Sequence, residues 1–155
     1  MAPATATDTV TATIPVQDRP AAIAITPDSS KAYVANRNSN TVSVIATATD
    51  TVSSNIPVGF APLVIAITPN GAKAYVTNSS ALGAVSVIST ATDTVSTSIA
   101  LGQQRPNAIV ITRDGTKAYV VNDGSNTISV ISTATDTVSS TIPVGDFPIG
   151  IAVIP

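Results

Sequence analysis

The sequence contains no cysteine, no histidine and no glutamate, and only 10% of its 155 residues are charged. Without cysteine there is no disulfide or thiol chemistry, and without histidine the commonest general base and the imidazole metal ligand are missing. The net charge is −2 and no basic stripe is present, so the electrostatic footprint of a nucleic-acid-binding protein is absent. The longest apolar run, residues 147–155, is too short to span a bilayer.

Hydrophobic residues make up 44% of the chain, and Val, Ile and Thr are abundant while Lys and Leu are scarce, which favours strands over helices. The same short motifs recur every 42 to 44 residues along the chain. A period of this length marks a repeat architecture in which each unit is one supersecondary element. The motif Lys-Ala-Tyr-Val begins at Lys31, Lys73 and Lys117, and Asp-Thr-Val begins at Asp8, Asp50, Asp93 and Asp136.

Each repeat is predicted to be a four-stranded antiparallel meander. Its first strand is apolar on both faces, as expected for an innermost strand, and Asn-Gly or Asp-Gly turns favour a hairpin to the Tyr-Val strand. A Val-Ile strand follows, and then a Thr-Val-Ser strand whose alternation and internal proline indicate a sheet edge. Four strands in about 40–45 residues are typical of a β-propeller blade. A β-solenoid requires parallel stacking, which the hairpin turns contradict.

The segments KAYVANRNSNTVSVI, KAYVTNSSALGAVSVI and KAYVVNDGSNTISVI, each followed by TATDTV, resemble YVTN-type β-propeller repeats. Tyr75-Val76-Thr77-Asn78 matches the tetrad of that name, whereas Ala35 and Val121 replace its Thr in the other two copies. The resemblance implies an all-β propeller of the kind found in archaeal surface layers and in bacterial cell-surface or secreted proteins. An extracellular or cell-surface location is therefore expected, although no signal sequence is visible. The resemblance implies no single shared activity.

The predicted domain is one propeller repeat unit over residues 1–155. It contains an outer strand at about 8–16, three blades at about 20–58, 62–101 and 106–144, and a partial inner strand at 148–155. Three blades are fewer than the usual minimum of four, and open blade faces favour association. We therefore predict self-association as a two-chain ring; an open head-to-tail array and the remainder of a longer propeller are the alternatives.

Three residue types repeat in every blade. Each tyrosine is predicted to pack between neighbouring blades with its hydroxyl bonded to a backbone group, rather than to form a ring of ligand-stacking aromatics. Each asparagine is predicted to be a turn residue that bonds its own backbone. The aspartate of each Asp-Thr-Val is predicted to cap a turn, since one carboxylate per loop is too few for calcium. The tyrosines are Tyr33, Tyr75 and Tyr119, and the asparagines are Asn36, Asn78 and Asn122.

The loops between blades and the loops between the second and third strands vary from repeat to repeat, and a meander places both sets at the same end. A rigid scaffold with one variable loop face is a common design for binding, although neutral drift in exposed loops is the alternative. The residues predicted to bind a partner are Asp18, Arg19, Arg37, Phe60, Leu82, Gln103, Gln104, Arg105, Asp123, Asp146 and Phe147.

The predicted function is that of a non-catalytic module for protein–protein or cell-surface interaction, with an extracellular protein or a glycan as partner. No metal, cofactor or catalytic residue is expected. Two alternatives remain open: a propeller enzyme of the lactonase or dehydrogenase type, and a self-assembling propeller fragment without an activity of its own.

Overall fold

A computed structural model describes residues 9–153 of the chain. Asp8, Ile154 and Pro155, into which the predicted flanking strands extend, lie outside the described residues. The described residues form twelve strands and no helix. The strands are β1 Pro20–Ile25, β2 Lys31–Asn36, β3 Thr41–Ala46, β4 Thr51–Pro57, β5 Pro62–Ile67, β6 Lys73–Asn78, β7 Ala84–Ser89, β8 Thr94–Ala100, β9 Pro106–Ile111, β10 Lys117–Asn122, β11 Thr127–Ser132 and β12 Thr137–Pro143.

The strands form three four-stranded antiparallel sheets in the orders β1-β2-β3-β4, β5-β6-β7-β8 and β9-β10-β11-β12. Each sheet is one sequence repeat, and we call the sheets blades 1, 2 and 3. The first strands β1, β5 and β9 lie side by side, whereas the last strands β4 and β8 barely touch. The apolar strand is therefore innermost. The prolines Pro57 and Pro143 end outermost strands, where a missing N–H costs no ladder hydrogen bond. The predicted all-β fold of four-stranded antiparallel blades is confirmed.

The core lies between the blades. Alternate residues of a strand point to opposite faces of its sheet. Blade 2 therefore contributes one face to an apolar layer shared with blade 1 and the other face to a layer shared with blade 3. The first layer joins blade 1 to blade 2 through Tyr33, Ala35, Val42, Val44, Ile56, Ile65, Ala74, Val76 and Ile88. The second joins blade 2 to blade 3 through Tyr75, Val85, Val87, Ile99, Leu101, Ile109, Ala118, Val120 and Ile131.

The two flanking segments differ from the prediction. Residues 9–16 and 148–153 form no strand, although the sequence predicts an outer strand over the first and an inner strand over the second. A strand needs a hydrogen-bonded neighbour, and no middle strands lie beside either segment in the described part of the chain. Ile14 and Val16 nevertheless pack on the free face of blade 1, against a small cluster of Ala32, Val34 and Ile45.

Candidate functional site

The loops that vary between repeats meet at one end of the blades. Two hydrogen bonds illustrate this: Asp18 N donates to Ser39 Oγ at 2.9 Å in blade 1, and Gln104 N donates to Ser125 Oγ at 2.8 Å in blade 3. Each bond joins a loop that enters a blade to the loop between its second and third strands. We call this end the loop face, which consists of residues 17–19, 37–40, 58–61, 79–83, 101–105, 123–126 and 144–148.

Several of the predicted partner-binding residues are used to hold these loops together. Their side chains bond to neighbouring loop residues, so their polar atoms are partly committed within the protein. The bonds run from Asn38 to Asp18, from Thr127 to Gln103, from Arg105 to Asp123 and from Asn126 to Asp146, at 3.1, 2.8, 3.3 and 3.0 Å respectively. In Gln104 it is the backbone N–H that is engaged. These residues therefore stabilise the loop face, and fewer of their polar atoms are free to contact a partner.

The loop before each inner strand has the same backbone conformation in every repeat. The residue that precedes the proline is left-handed each time, with φ between 51° and 55°, at Arg19, Ala61, Arg105 and Phe147. Asparagine side chains help to hold this conformation: Asn40 Oδ1 accepts from Ala61 N at 2.9 Å. Non-glycine residues rarely adopt a positive φ, so the surroundings must define these loops closely. The side chains on them are therefore presented by a fixed backbone.

A second group of predicted residues is exposed. Phe60, Leu82 and Phe147 expose 68%, 88% and 75% of their surface. Phe60 also borders a groove of about 310 Å³ between blades 1 and 2, together with Arg19 and Arg37. The structure therefore brings three of the predicted residues, one aromatic and two cationic, into one concave site. Leu82 and Phe147 belong to the same face but do not line this groove.

The opposite end of the blades carries a contact that the sequence analysis missed. Tyr33 Oη in β2 donates to Asp93 Oδ1, in the β7–β8 turn of the next blade, at 2.6 Å. Lys31 Nζ donates to Asp93 Oδ2 at 2.7 Å and to the Thr90 carbonyl at 2.9 Å. One carboxylate thus accepts from two side chains of the preceding blade. We call this arrangement of lysine, tyrosine and aspartate the inter-blade clamp.

The clamp repeats between blades 2 and 3. Lys73 Nζ donates to Asp136 Oδ2 at 2.7 Å and to the Thr133 carbonyl at 2.8 Å, and Tyr75 Oη donates to Asp136 Oδ1. Lysine and tyrosine stand two residues apart in a strand, so they share one face. The aspartates Asp93 and Asp136 have left-handed φ of 52°, a conformation that aspartate tolerates better than most residues.

These contacts correct two predictions. The buried tyrosine hydroxyls bond a carboxylate of the next blade rather than a backbone group, and the aspartates Asp93 and Asp136 join blades as well as forming turns. A signal was available in the sequence. Charged residues are scarce, yet lysine, tyrosine and aspartate keep the same places in every repeat, which points to a shared contact.

Tyr119 departs from the other two tyrosines. Tyr33 and Tyr75 are fully buried at 0% exposure, whereas Tyr119 is only partly buried because no blade follows β10 to β12 in the described residues. The prediction that every tyrosine packs between two blades therefore holds for Tyr33 and Tyr75 and fails for Tyr119. None of the three forms a ring of ligand-stacking aromatics on the loop face.

The repeated asparagines are core residues rather than turn residues. Each is the last residue of its second strand and is at most 2% exposed. Each amide donates to a serine hydroxyl of the adjacent third strand, where the buried N–H finds an acceptor within the sheet. The pairs are Asn36–Ser43, Asn78–Ser86 and Asn122–Ser129, at 2.9, 2.8 and 2.9 Å.

The tyrosines of the clamp predict how the free energy of unfolding changes as the pH becomes alkaline. Burial, with a smaller contribution from the hydrogen bond to the carboxylate, raises the pKa of Tyr33 and of Tyr75 well above the usual value for tyrosine. The unfolded chain releases these protons above about pH 10, whereas the folded chain keeps them. The free energy of unfolding should therefore fall above about pH 10, by about 1.4 kcal/mol per pH unit for each tyrosine.

Denaturant unfolding between pH 8 and pH 11 measures this dependence. The double variant Tyr33→Phe/Tyr75→Phe is the control, because it keeps the rings and removes the two protons. Its stability should change less between these pH values than that of the parent chain. An equally steep decline in the double variant would show that other groups cause the alkaline loss.

Within residues 9–153, no three side chains of the types His, Cys, Asp and Glu stand close enough together to hold a metal ion. The same residues include no helix that is long and apolar enough to cross a membrane.

No protein-family model matches the chain, and no curated protein matches it. Several solved structures do match the chain. Hydrazine synthase of Kuenenia stuttgartiensis is 30% identical with a TM-score of 0.79, over 83% of this chain and 37% of that one. A functionally unknown protein from Desulfotomaculum acetoxidans DSM 771 is 23% identical with a TM-score of 0.71, over 86% and 45% of the two chains. The WD40 repeats of RRP9 are 13% identical with a TM-score of 0.75, over 83% and 40%.

The chain spans less than half the length of each of these proteins. WD40 repeats are four-stranded propeller blades. The similarity therefore identifies the three stacked sheets as part of a β-propeller.

Proposed function

We propose that the chain is a non-catalytic β-propeller module that binds a protein partner through its loop face. The observation that carries the proposal is the groove between blades 1 and 2, where Phe60 stands beside Arg19 and Arg37. Aromatic residues and arginine supply most of the binding energy in protein interfaces. Here they project from loops of fixed backbone, on a chain that has few charges and few aromatics elsewhere.

The groove suits a particular kind of segment. Two guanidinium groups favour an acidic side chain or a terminal carboxylate, and the exposed ring of Phe60 favours an apolar neighbour. We therefore propose an extended peptide segment that carries an acidic residue beside an apolar one. The exposed Leu82 and Phe147 extend the apolar surface of the same face.

We further propose that the module is of the YVTN type and acts at the cell surface or outside the cell. This proposal rests on the Tyr75-Val76-Thr77-Asn78 tetrad and its two near-copies. Protease treatment of intact cells tests the location, because an intracellular protein would remain uncleaved.

Selection from a displayed library of random peptides tests the binding site. We expect enriched peptides to combine acidic and apolar residues, and to lose at least tenfold in affinity on the variants Phe60→Ala and Arg19→Ala. The matched control is Asp28→Asn, since Asp28 lines a second groove at the opposite end of the blades. Peptides that bind the Phe60 and Arg19 variants as tightly as the parent, or that lose affinity on the control, would place the binding site elsewhere.

The alternative is an enzyme, and the observation that favours it is the 30% identity to hydrazine synthase. The match covers 37% of that protein, so its activity does not transfer to this chain by similarity alone. A catalytic propeller of the lactonase type would hold a metal ion at stoichiometric level. Elemental analysis of the purified chain decides between the two, because one calcium or zinc per chain would contradict the non-catalytic proposal.

A further inference from the structure

The inter-blade clamp is directional. Each blade presents lysine and tyrosine to the blade that follows, and presents an aspartate to the blade that precedes it. Within residues 9–153 this contact is made twice, at Asp93 and at Asp136. In the described residues, two halves have no such partner, and they lie at opposite ends of the stack. Blade 3 presents Lys117 and Tyr119, and blade 1 presents Asp50.

The unpaired residues Lys117 and Asp50 occupy the same positions as the residues that form the two clamps, but they are exposed. Lys117 is exposed, whereas Lys31 and Lys73 are half-buried. Asp50 is exposed, whereas the side chains of Asp93 and Asp136 retain 21% and 16% exposure. Asp50 already has the left-handed backbone of its counterparts, with φ of 53°. The acceptor turn is therefore formed before any partner arrives.

Apolar residues near the two halves are also more exposed than their counterparts inside the stack. On blade 1, Ile23 is 60% exposed, whereas its counterparts Ile65 and Ile109 are 7% and 5% exposed inside the stack. On blade 3, Ile142 is 43% exposed, whereas Ile56, its counterpart in blade 1, is 4% exposed. In the described part of the chain, no blade covers Ile23 or Ile142 as the neighbouring blades cover their counterparts.

We propose that blade 3 of one copy docks on blade 1 of a second copy, and that two copies close a ring of six blades. Lys117 and Tyr119 of each copy then clamp Asp50 of the other, as Lys31 and Tyr33 clamp Asp93 within the chain. A head-to-tail contact of this kind leads either to a closed ring or to an open filament. Six blades lie within the range of four to eight found in propellers, so two copies suffice for closure.

Docking requires two rearrangements. Residues 148–153 must leave blade 3, where the Pro148 carbonyl accepts a hydrogen bond from Asn107 Nδ2 of β9 at 3.3 Å, and residues 9–16 must leave blade 1. Ile14-Pro15-Val16 and Ile142-Pro143-Val144 are copies of the same outer-strand motif, and Ile14 and Val16 now cover the free face of blade 1. In the ring, Ile142 and Val144 of the second copy take that place. Residues 9–16 form no strand, so their displacement breaks no sheet ladder.

Charge reversal with light scattering after size exclusion tests the proposal. Light scattering should give the parent chain a mass of twice the 15.5 kDa of one copy. Asp50→Lys and Lys117→Asp should each be monomeric, because each variant opposes like charges at both junctions of the ring. Mixed in equal amounts, the two variants should form dimers again, since one junction is then native and the other is reversed.

The control is Arg37→Asp, which makes the same charge change as Lys117→Asp but lies on the loop face between blades 1 and 2 of one copy, and should remain dimeric. A monomeric parent chain, a series of growing oligomers, or a mixture of the two variants that stays monomeric would overturn the ring. Lys117 is exposed at the start of β10, so Lys117→Asp decides the question alone if Asp50→Lys fails to fold. Failure of peptide binding at the loop face would leave this result unaffected.

Discussion

Replacing Tyr75 by alanine should lower the free energy of unfolding by about 3–5 kcal/mol, the range found when a buried aromatic is truncated. Tyr75 is 0% exposed and lies in the apolar layer between blades 2 and 3. The substitution leaves a cavity in that layer and also removes one of the two side chains that donate to Asp136. Urea or guanidinium unfolding followed by far-UV circular dichroism measures the change.

Tyr119 offers the matched comparison, because it occupies the same position in blade 3 but is only partly buried. Tyr119→Ala should cost clearly less than Tyr75→Ala when both are measured at concentrations where the chain is monomeric. Tyr75→Phe keeps the ring and should recover most of the loss. Equal costs for the two alanine variants would mean that the layer between blades 2 and 3 does not hold Tyr75 as described.

Replacing Asp136 by alanine should destabilise the chain by about 1–3 kcal/mol more than replacing Asp50 by alanine, the usual cost of leaving buried donors without an acceptor. The two aspartates occupy equivalent turns of blades 1 and 3, with φ of 53° at Asp50 and 52° at Asp136. The free energy needed to hold alanine in this left-handed conformation is therefore common to both variants. In the described residues, Asp136 accepts hydrogen bonds from Lys73 and Tyr75, whereas Asp50 is exposed and accepts from no equivalent pair. The difference between the two variants therefore isolates the clamp.

Thermal and denaturant unfolding measure the loss of stability in the two variants. Both are measured at concentrations where the chain is monomeric. Similar losses for both would show that the clamp contributes little beyond turn formation, which was the role predicted from the sequence. A larger loss at Asp50 than at Asp136 would contradict the stabilising role of the clamp.

The strands and their order within a blade were predictable from the sequence because short-range chemistry determines them. Alternating residues in Thr51–Pro57 define one buried and one exposed face, and Pro57 is compatible only with an edge. Asn70-Gly71 specifies a hairpin turn, because glycine adopts the positive φ of 73° found there without steric cost. Repetition of such local signals then led to the three blades.

Part of the candidate site was predictable for the same reason. The meander places both variable loop sets at one end, so the sequence is enough to assign Phe60, Arg19 and Arg37 to one face. Which of these residues share a groove depends on how blade 2 stacks on blade 1. Asp18, Gln103 and Asp146 were assigned to binding because their loops vary between repeats, but the tertiary contacts direct their side chains to neighbouring residues of the protein.

The repeat marks the lysine, tyrosine and aspartate of the clamp as positions to note, but only the tertiary structure shows which of them pair. Tyr33 and Asp93 are 60 residues apart, and Tyr75 and Asp136 are 61 apart, so no local pattern links a strand tyrosine to a turn aspartate in the next repeat. The repeat itself makes Tyr33, Tyr75 and Tyr119 look equivalent. Stacking removes that equivalence, because burial requires a neighbouring blade, and in the described chain only Tyr33 and Tyr75 have one on the side they face.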